Sequence, residues 1–276
     1  MSERAAVLAI LLEAAREAAV VVMRVYAEAD VGMELKGPND PVTRADKEAN
    51  ALLLDRLSRA LPGLPIVAEE SDPSTFAGFG SADRVLFVDP VDGTREFIDR
   101  NGEFAVMIGY TEGGAAAAGV VLCPALGETY VGVVGEGAFV IDQAGAKRPI
   151  HVSSLTDLAA ARCAVSRFHR SASVDAKLAA LGVRELVPTG SAGVKGIRVA
   201  SAALDIYAHP SQGAIKLWDT CAPDAIVRAA GGLFTDATGR PFDYRGPLAQ
   251  GAGMLAASPV LHAEAVRRMN AEGSGS

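Results

Sequence analysis

Apolar residues recur at helical spacing across residues 4–29, where Leu8, Leu11, Leu12, Ala15, Ala19, Val22 and Met23 share one broad face, which predicts a long helix. Gly37-Pro38-Asn39-Asp40-Pro41 breaks that pattern, and a second helix is predicted over 43–60 with Leu52, Leu53, Leu57 and Leu61 as its stripe. Pro65-Ile66-Val67-Ala68 reads as a short strand that delivers Glu69 and Glu70 at its end. Val85-Leu86-Phe87-Val88 reads as a buried strand, and Arg95-Glu96-Phe97-Ile98 as a short helix. The pattern then changes to strands. Segments 104–110 and 116–122 flank Gly113-Gly114, and segments 129–134 and 138–141 flank Gly135-Glu136-Gly137, two good hairpin signals. This antiparallel section ends near Val152. Beyond it the prediction is strand 161–166, helix 172–181, strand 183–187, helix 193–203, strand 205–208 and helix 219–230. That last helix stops at Gly231-Gly232, the usual helix-end residue. Strands 233–235 and 254–257 and a helix over 259–271 complete the chain before a frayed tail at 272–276.

Two helices and a meandering sheet followed by an alternating half imply a layered α/β protein with two lobes, 1–152 and 153–271. The 276 residues are half hydrophobic with few aromatics, the composition of a compact folded protein. A net charge of −7 argues against nucleic-acid binding while leaving a small anionic partner open, because metals and a few placed cations reverse a local field. Cys123, Cys163 and Cys221 form no metal or redox spacing, so buried free thiols are expected. Glu13, Arg16 and Glu17 interrupt any signal-peptide core, and no apolar run approaches the roughly 20 residues that span a bilayer. The expectation is a cytoplasmic protein without an integral membrane segment, monomer or homodimer.

Against that background Asp89-Pro90-Val91-Asp92-Gly93-Thr94 stands out, because it puts two carboxylates at the end of a buried strand. Ionised carboxylates there lose hydration and must gain a cation or strong hydrogen bonds in return. Gly93 permits a tight turn, and Thr94 offers a hydroxyl and an N–H at a helix start, which favours phosphate. Hard oxygen donors beside a phosphate cradle suggest Mg²⁺-assisted phosphoryl chemistry. The plain alternative is a turn, since Asp, Pro and Gly each favour one. Asp46, Glu69 and Asp219 also lie at element ends, and each has an ordinary explanation: a first-turn acid, an exposed acidic pair with Glu70, and a helix cap with Pro223 in its first turn. Their joint arrangement is the stronger signal.

Pro41-Val42-Thr43-Arg44-Ala45-Asp46, Glu69-Glu70-Ser71, Asp89 through Thr94, and Trp218-Asp219 leading to Ala230-Gly231-Gly232 together resemble the inositol monophosphatase superfamily of Mg²⁺-dependent, lithium-sensitive phosphatases, over nearly the whole chain. Arg95-Glu96-Phe97-Ile98-Asp99-Arg100-Asn101-Gly102-Glu103-Phe104 is similar to the branch of bacterial 3′(2′),5′-bisphosphate nucleotidases. The resemblance implies an αβαβα sandwich of the inositol monophosphatase and fructose-1,6-bisphosphatase type, binding two or three Mg²⁺ ions. In it Glu69, Asp89, Asp92, Asp219 and the Val91 carbonyl hold the metals, and Asp89 bridges two of them. Asp46 accepts from the Thr94 hydroxyl, which orients the attacking water, and the Gly93 and Thr94 amides cradle the phosphate. Asp219 also borders the substrate.

For the rest of the substrate, Ser166-Arg167-Phe168-His169 resembles the family's Ser-Arg-x-His segment, with Ser166 and His169 near the nucleotide's other phosphate. Gly190-Ser191-Ala192-Gly193-Val194-Lys195 resembles the Gly-Ser-Ser-x-Lys loop with one residue more between Ser191 and Lys195, which leaves Lys195 to meet a 5′-phosphate. Trp218 reads equally as core packing or as an adenine platform. Arg95 and Arg100 read equally as phosphate ligands or surface pairs and stay outside the catalytic set. The implied activity is hydrolysis of 3′-phosphoadenosine 5′-phosphate to AMP and phosphate, which would support sulfate assimilation. Inositol monophosphate or fructose 1,6-bisphosphate is the alternative substrate. A non-catalytic metal- or nucleotide-binding protein on this scaffold would have lost an acid or the threonine, and none is missing.

Overall fold

The structure, a computed structural model, describes residues 2–38, 40–168, 170–210, 215–250 and 252–271. The first half comprises α1 (Glu3–Tyr26), β1 (Glu34–Gly37), β2 (Asp40–Val42), α2 (Arg44–Ala60), β3 (Ile66–Ala68), β4 (Arg84–Asp92), α3 (Thr94–Ile98), β5 (Ala105–Glu112), β6 (Ala115–Cys123), β7 (Glu128–Val133), β8 (Gly137–Asp142) and β9 (Lys147–Ile150). The second comprises β10 (Arg162–Ser166), α4 (Ala172–Ala180), β11 (Glu185–Thr189), α5 (Ala192–Ala200), β12 (Ile206–His209), β13 (Ile215–Lys216), α6 (Leu217–Ala229), β14 (Leu233–Thr235), β15 (Ala249–Gln250), β16 (Met254–Ala257) and α7 (Pro259–Met269).

Strands β3 to β9 form one sheet in chain order, parallel between β3 and β4 and antiparallel elsewhere. The second sheet runs β11-β10-β12-β16-β14, with β10 parallel to both neighbours and β16 antiparallel to both of its own. Alternation along the strands decides which face meets which helices. Leu86, Val88, Val106 and Ile108 pack with α1 and α2, whereas Val85, Phe87, Ala105 and Met107 face α5 and α6. The far face of the second sheet packs on α4 and α7 through Cys163, Val165, Leu178 and Leu261. The order helix, sheet, helix, sheet, helix is the αβαβα sandwich expected from the resemblance.

Cross-strand partners Gly109, Gly119 and Gly132 make a groove across β5, β6 and β7 in which α6 lies. A Cβ on Gly119 would collide with the Ala222 carbonyl, and one on Gly109 with Cys221. This close approach brings Asp219, at the start of α6, down to the edge of the first sheet.

Several boundaries differ from those predicted. The 37–41 break is the tip of the β1–β2 hairpin, and α1 ends at Tyr26, short of residue 29. Strand β11 starts two residues late, and α5 stops at Ala200, before residue 203. Helix α6 begins at Leu217, so Pro223 lies inside it and not in its first turn. There the proline withdraws the N–H that the Asp219 carbonyl would otherwise accept. The three cysteines are free and buried. Among the described residues no helix is long and apolar enough to cross a membrane. The expected tail at 272–276 lies outside the described residues.

Candidate active site

The sequence Thr43-x-x-Asp46 builds the first part of the site. Thr43 caps α2, and Asp46 one turn later reaches back to it: the Thr43 N–H donates to Asp46 Oδ2 at 2.8 Å and its hydroxyl donates to the same oxygen at 2.5 Å. The other oxygen, Oδ1, accepts from the Thr94 hydroxyl at 3.1 Å. Asp46 is therefore a first-turn acid, as its position alone suggested, bonded back to the capping Thr43, and also half of the expected Asp46–Thr94 pair. Burial raises its carboxyl to about 6, against the pull of the Thr43 and Thr94 hydrogen bonds.

Strand β4 carries the next acids. Its pairing with β5 is regular up to Asp89 and slips before Asp92, so the two acids sit on either side of an irregularity at the strand's end. Asp89 is buried and accepts from the Val91 N–H at 3.0 Å, and the Val91 carbonyl lies 3.3 Å from the Thr94 hydroxyl. Gly93 takes φ +94°, a conformation that strains any other residue, and lets α3 start at Thr94 immediately after. Asp219 is the third residue of α6 and not the cap expected of it; it accepts from the N–H of Lys216, the residue that does stand at the cap, at 2.9 Å. Burial and the neighbouring acids raise Asp89 well above the usual carboxylate range, and they raise Asp219 to about 8.

Two contacts from distant segments complete the ring. Lys36 on β1 reaches Glu69 at 2.9 Å and Glu70 at 2.5 Å. The pair is thus pinned, not the exposed acidic pair of the ordinary explanation. Burial alone would lower the Lys36 ammonium, but the two glutamates hold it above its ordinary value. Asp92 is gripped from α5: the Ser191 hydroxyl donates to it, as do the Ala192 N–H at 3.1 Å and the Gly193 N–H at 2.6 Å. Sequence reasoning missed Lys36 entirely, because only the register of the β1–β2 hairpin places it.

A cavity of about 930 Å³ opens from these acids into the second half. Its lining joins Glu69, Asp92, Gly93, Thr94 and Asp219 with Ser166, Ser191, Lys195 and Trp218. Lys195 is buried, donates to the Thr189 carbonyl at 3.3 Å, and lies 5.3 Å from the Tyr207 ring centre. Trp218 packs in the central core and also lines the cavity. Arg95 sits over the Phe168 ring and lines the cavity too, whereas Arg100 turns away to the Glu28 carbonyl. His169 lies outside the described residues.

The donor set fits a hard divalent cation. It consists of oxygen atoms, and its acids repel one another in a buried place where Lys36 answers only part of the charge. Among the described residues no Asp, Glu, His or Cys side chains are gathered as a closed ligand set. Glu69 is turned to Lys36, Asp92 to α5 and Asp219 to the Lys216 N–H.

Carboxylates, the start of α3 and a buried lysine lining one cavity suit the hydrolysis of small phosphate esters. The chain belongs to the inositol monophosphatase family of phosphatases, which it matches over residues 3–273. It is 34% identical over 231 residues to the 3′(2′),5′-bisphosphate nucleotidase CysQ of Escherichia coli K12, covering 83% of this chain and 90% of that protein. The 3′(2′),5′-bisphosphate nucleotidase 1 of Rattus norvegicus is 31% identical over 265 residues, 83% of this chain and 82% of its own. Among solved structures, the extragenic suppressor protein suhB of Bartonella henselae superposes with a TM-score of 0.83 at 28% identity, covering 96% of this chain and 98% of its own. The Thermotoga maritima IMPase gives 0.80 at 26% identity, with 96% of each chain covered.

Proposed function

We propose that this protein is a Mg²⁺-dependent phosphomonoesterase that converts 3′-phosphoadenosine 5′-phosphate to AMP and phosphate. The observation that carries the reading is one cavity lined both by Thr94, whose hydroxyl is held from behind by the buried Asp46, with Glu69, Asp92 and Asp219 beside it, and by the buried cation Lys195. Such a cavity suits a substrate with two phosphates, and the names of the curated relatives point the same way.

Glu69, Asp89, Asp92, Asp219 and the Val91 carbonyl would hold the metal, which when bound supplies Lewis-acid stabilisation of the phosphoryl and leaving oxygens. The chain's own residues do the rest. Asp46 fixes the Thr94 hydroxyl by accepting its proton in a hydrogen bond, so the threonine oxygen is left to accept from a water and aim it at phosphorus. Gly93 and Thr94 present backbone N–H groups to the phosphate at the start of α3. The water oxygen forms the new bond to phosphorus as the ester P–O bond breaks; the water gives up one proton and the leaving ribose oxygen gains one, so that the net products are the nucleotide hydroxyl and phosphate. Lys195 and Ser166 engage the remaining phosphate, and the closed surroundings of Asp89 exclude bulk water.

The structural likeness to an IMPase keeps inositol monophosphate as a second reading, with fructose 1,6-bisphosphate beside it. Phosphate release with Mg²⁺ on all three esters separates them. A preference of about a hundredfold in kcat/KM for the nucleotide, roughly 2.7 kcal/mol of transition-state discrimination, is the expected result. Equal values would overturn the nucleotide assignment while leaving the phosphatase.

A further inference from the structure

Glu103 lies between α3 and β5, outside the set of acids at the cavity mouth, and no part of the reaction described above uses it. Its side chain is only 15% exposed and gathers three partners from the other half of the molecule. The Gly190 N–H donates to it at 2.8 Å, Arg167 at 2.5 Å and Arg198 at 3.3 Å. These come from three separate segments: the turn before α5, the chain leaving β10, and α5 itself.

The turn held in this way is strained. Ser191 has φ +53°, which costs a non-glycine residue free energy and persists only where the surroundings over-determine it. Glu103 holds the turn on one side, through Gly190, and Asp92 on the other, through the Ser191 hydroxyl and the Ala192 and Gly193 N–H groups. One turn further along α5, Lys195 enters the cavity. Arg167, the second partner, directly follows Ser166 of the cavity wall.

We propose that Glu103 is a positioning residue of the active site: it locks the Gly190–Ser191 turn and the Arg167 segment together, and so sets the orientation of Asp92 and the placement of Lys195. The proposal rests on these acids and this cavity being the reaction site. Its effect passes through other residues, so it must move site properties beyond what lost stability explains.

The test compares Glu103→Ala and Glu103→Gln with Glu112→Gln, a control acid of similar exposure that bonds Arg4 and Tyr110 away from the cavity. Kinetics are measured on whichever of the nucleotide and inositol 1-phosphate the wild type turns over better. Mg²⁺ followed by inorganic phosphate is also titrated against the emission of Trp218, the sole tryptophan and a cavity residue. For Glu103→Ala the expected outcome is a fall in kcat/KM of about thirtyfold and a rise in the half-saturating Mg²⁺ or phosphate concentration of about tenfold. Glu103→Gln, which keeps an acceptor for Gly190, recovers part of both, and Glu112→Gln changes neither. Glu103→Ala behaving like Glu112→Gln in both readouts overturns the proposal. Failure of the nucleotide reading would show separately, as a wild type that prefers inositol 1-phosphate, and the variant ratios then decide the role of Glu103 on that ester. If no ester is hydrolysed, the Trp218 titration decides it.

Discussion

At the scale of single residues, the clustered acids cost the folded protein stability. Asp89 is buried among Glu69, Asp92 and Asp219, and each of those charges opposes its own. Asparagine has the same shape and can still accept from the Val91 N–H, so Asp89→Asn removes repulsion without opening a cavity. In metal-free protein the variant is expected to melt a few degrees higher than the wild type, while kcat/KM with Mg²⁺ falls at least about a hundredfold. Thermal unfolding with chelator and phosphate release check the two halves, and near-normal turnover would sink the metal assignment. Asp89 and Asp92 were legible in the sequence because carboxylates at the end of a buried strand need a reason to be there, whereas Asp46 and Asp219 have ordinary explanations one by one and were singled out only by the joint arrangement and the resemblance. Lys36 and Glu103 were not legible, since their partners lie 33 and 87 positions away and no local pattern encodes the pairing.

At the scale of elements, period-two alternation and glycine turns located the two hairpins of the first sheet, and helical periodicity located α1 and α2. The start of α6 was misjudged because Pro223 reads as a first-turn residue, whereas tertiary packing against the first sheet extends the helix back to Leu217. That packing is a matter of missing side chains. Gly119 sits between Gly109 and Gly132 in the groove that receives α6, and a side chain there meets the Ala222 backbone, which cannot swing aside. Gly119→Val is therefore expected to lower stability by about 3 kcal/mol, at the upper end of ordinary overpacking costs. It should also weaken activity, because α6 carries Asp219. Urea unfolding measures the first effect, and an unchanged midpoint would show that α6 does not depend on the groove.

At the scale of the whole molecule, the central helices and the segments joining the sheets bury acids far from water, and this fixes how stability depends on pH. Asp224 on α6 accepts from the Tyr244 hydroxyl at 3.0 Å through one oxygen, while the other has no hydrogen-bond partner and Arg228 stands 4.0 Å away. Tyr244 in turn packs on Phe87 of the first sheet, so this cluster ties the two halves together. Burial raises the Asp224 carboxyl to about 7, against the opposing pull of Arg228 and the Tyr244 hydrogen bond. An unfolded chain has an ordinary aspartate near pH 4, so between there and neutrality the folded protein holds a proton that the unfolded chain has released. Stability then falls as pH rises through that window, by up to about 1.4 kcal/mol per pH unit for each such proton. Asp46 and Asp219 add to the same slope in metal-free protein, since burial raises them to about 6 and about 8. Bound Mg²⁺ should remove the share of Asp219 by favouring its charged form, but it leaves the share of Asp224, which lies off the cavity. Asp224→Asn is therefore expected to reduce the fall in stability between pH 5 and 8 whether or not Mg²⁺ is present, by the slope of about one proton at most. Urea midpoints across that range, with chelator and with Mg²⁺, read the difference directly. Parallel profiles for the wild type and Asp224→Asn would mean that Asp224 is already ionised in the folded protein, and that Arg228 and the Tyr244 hydroxyl together answer its charge.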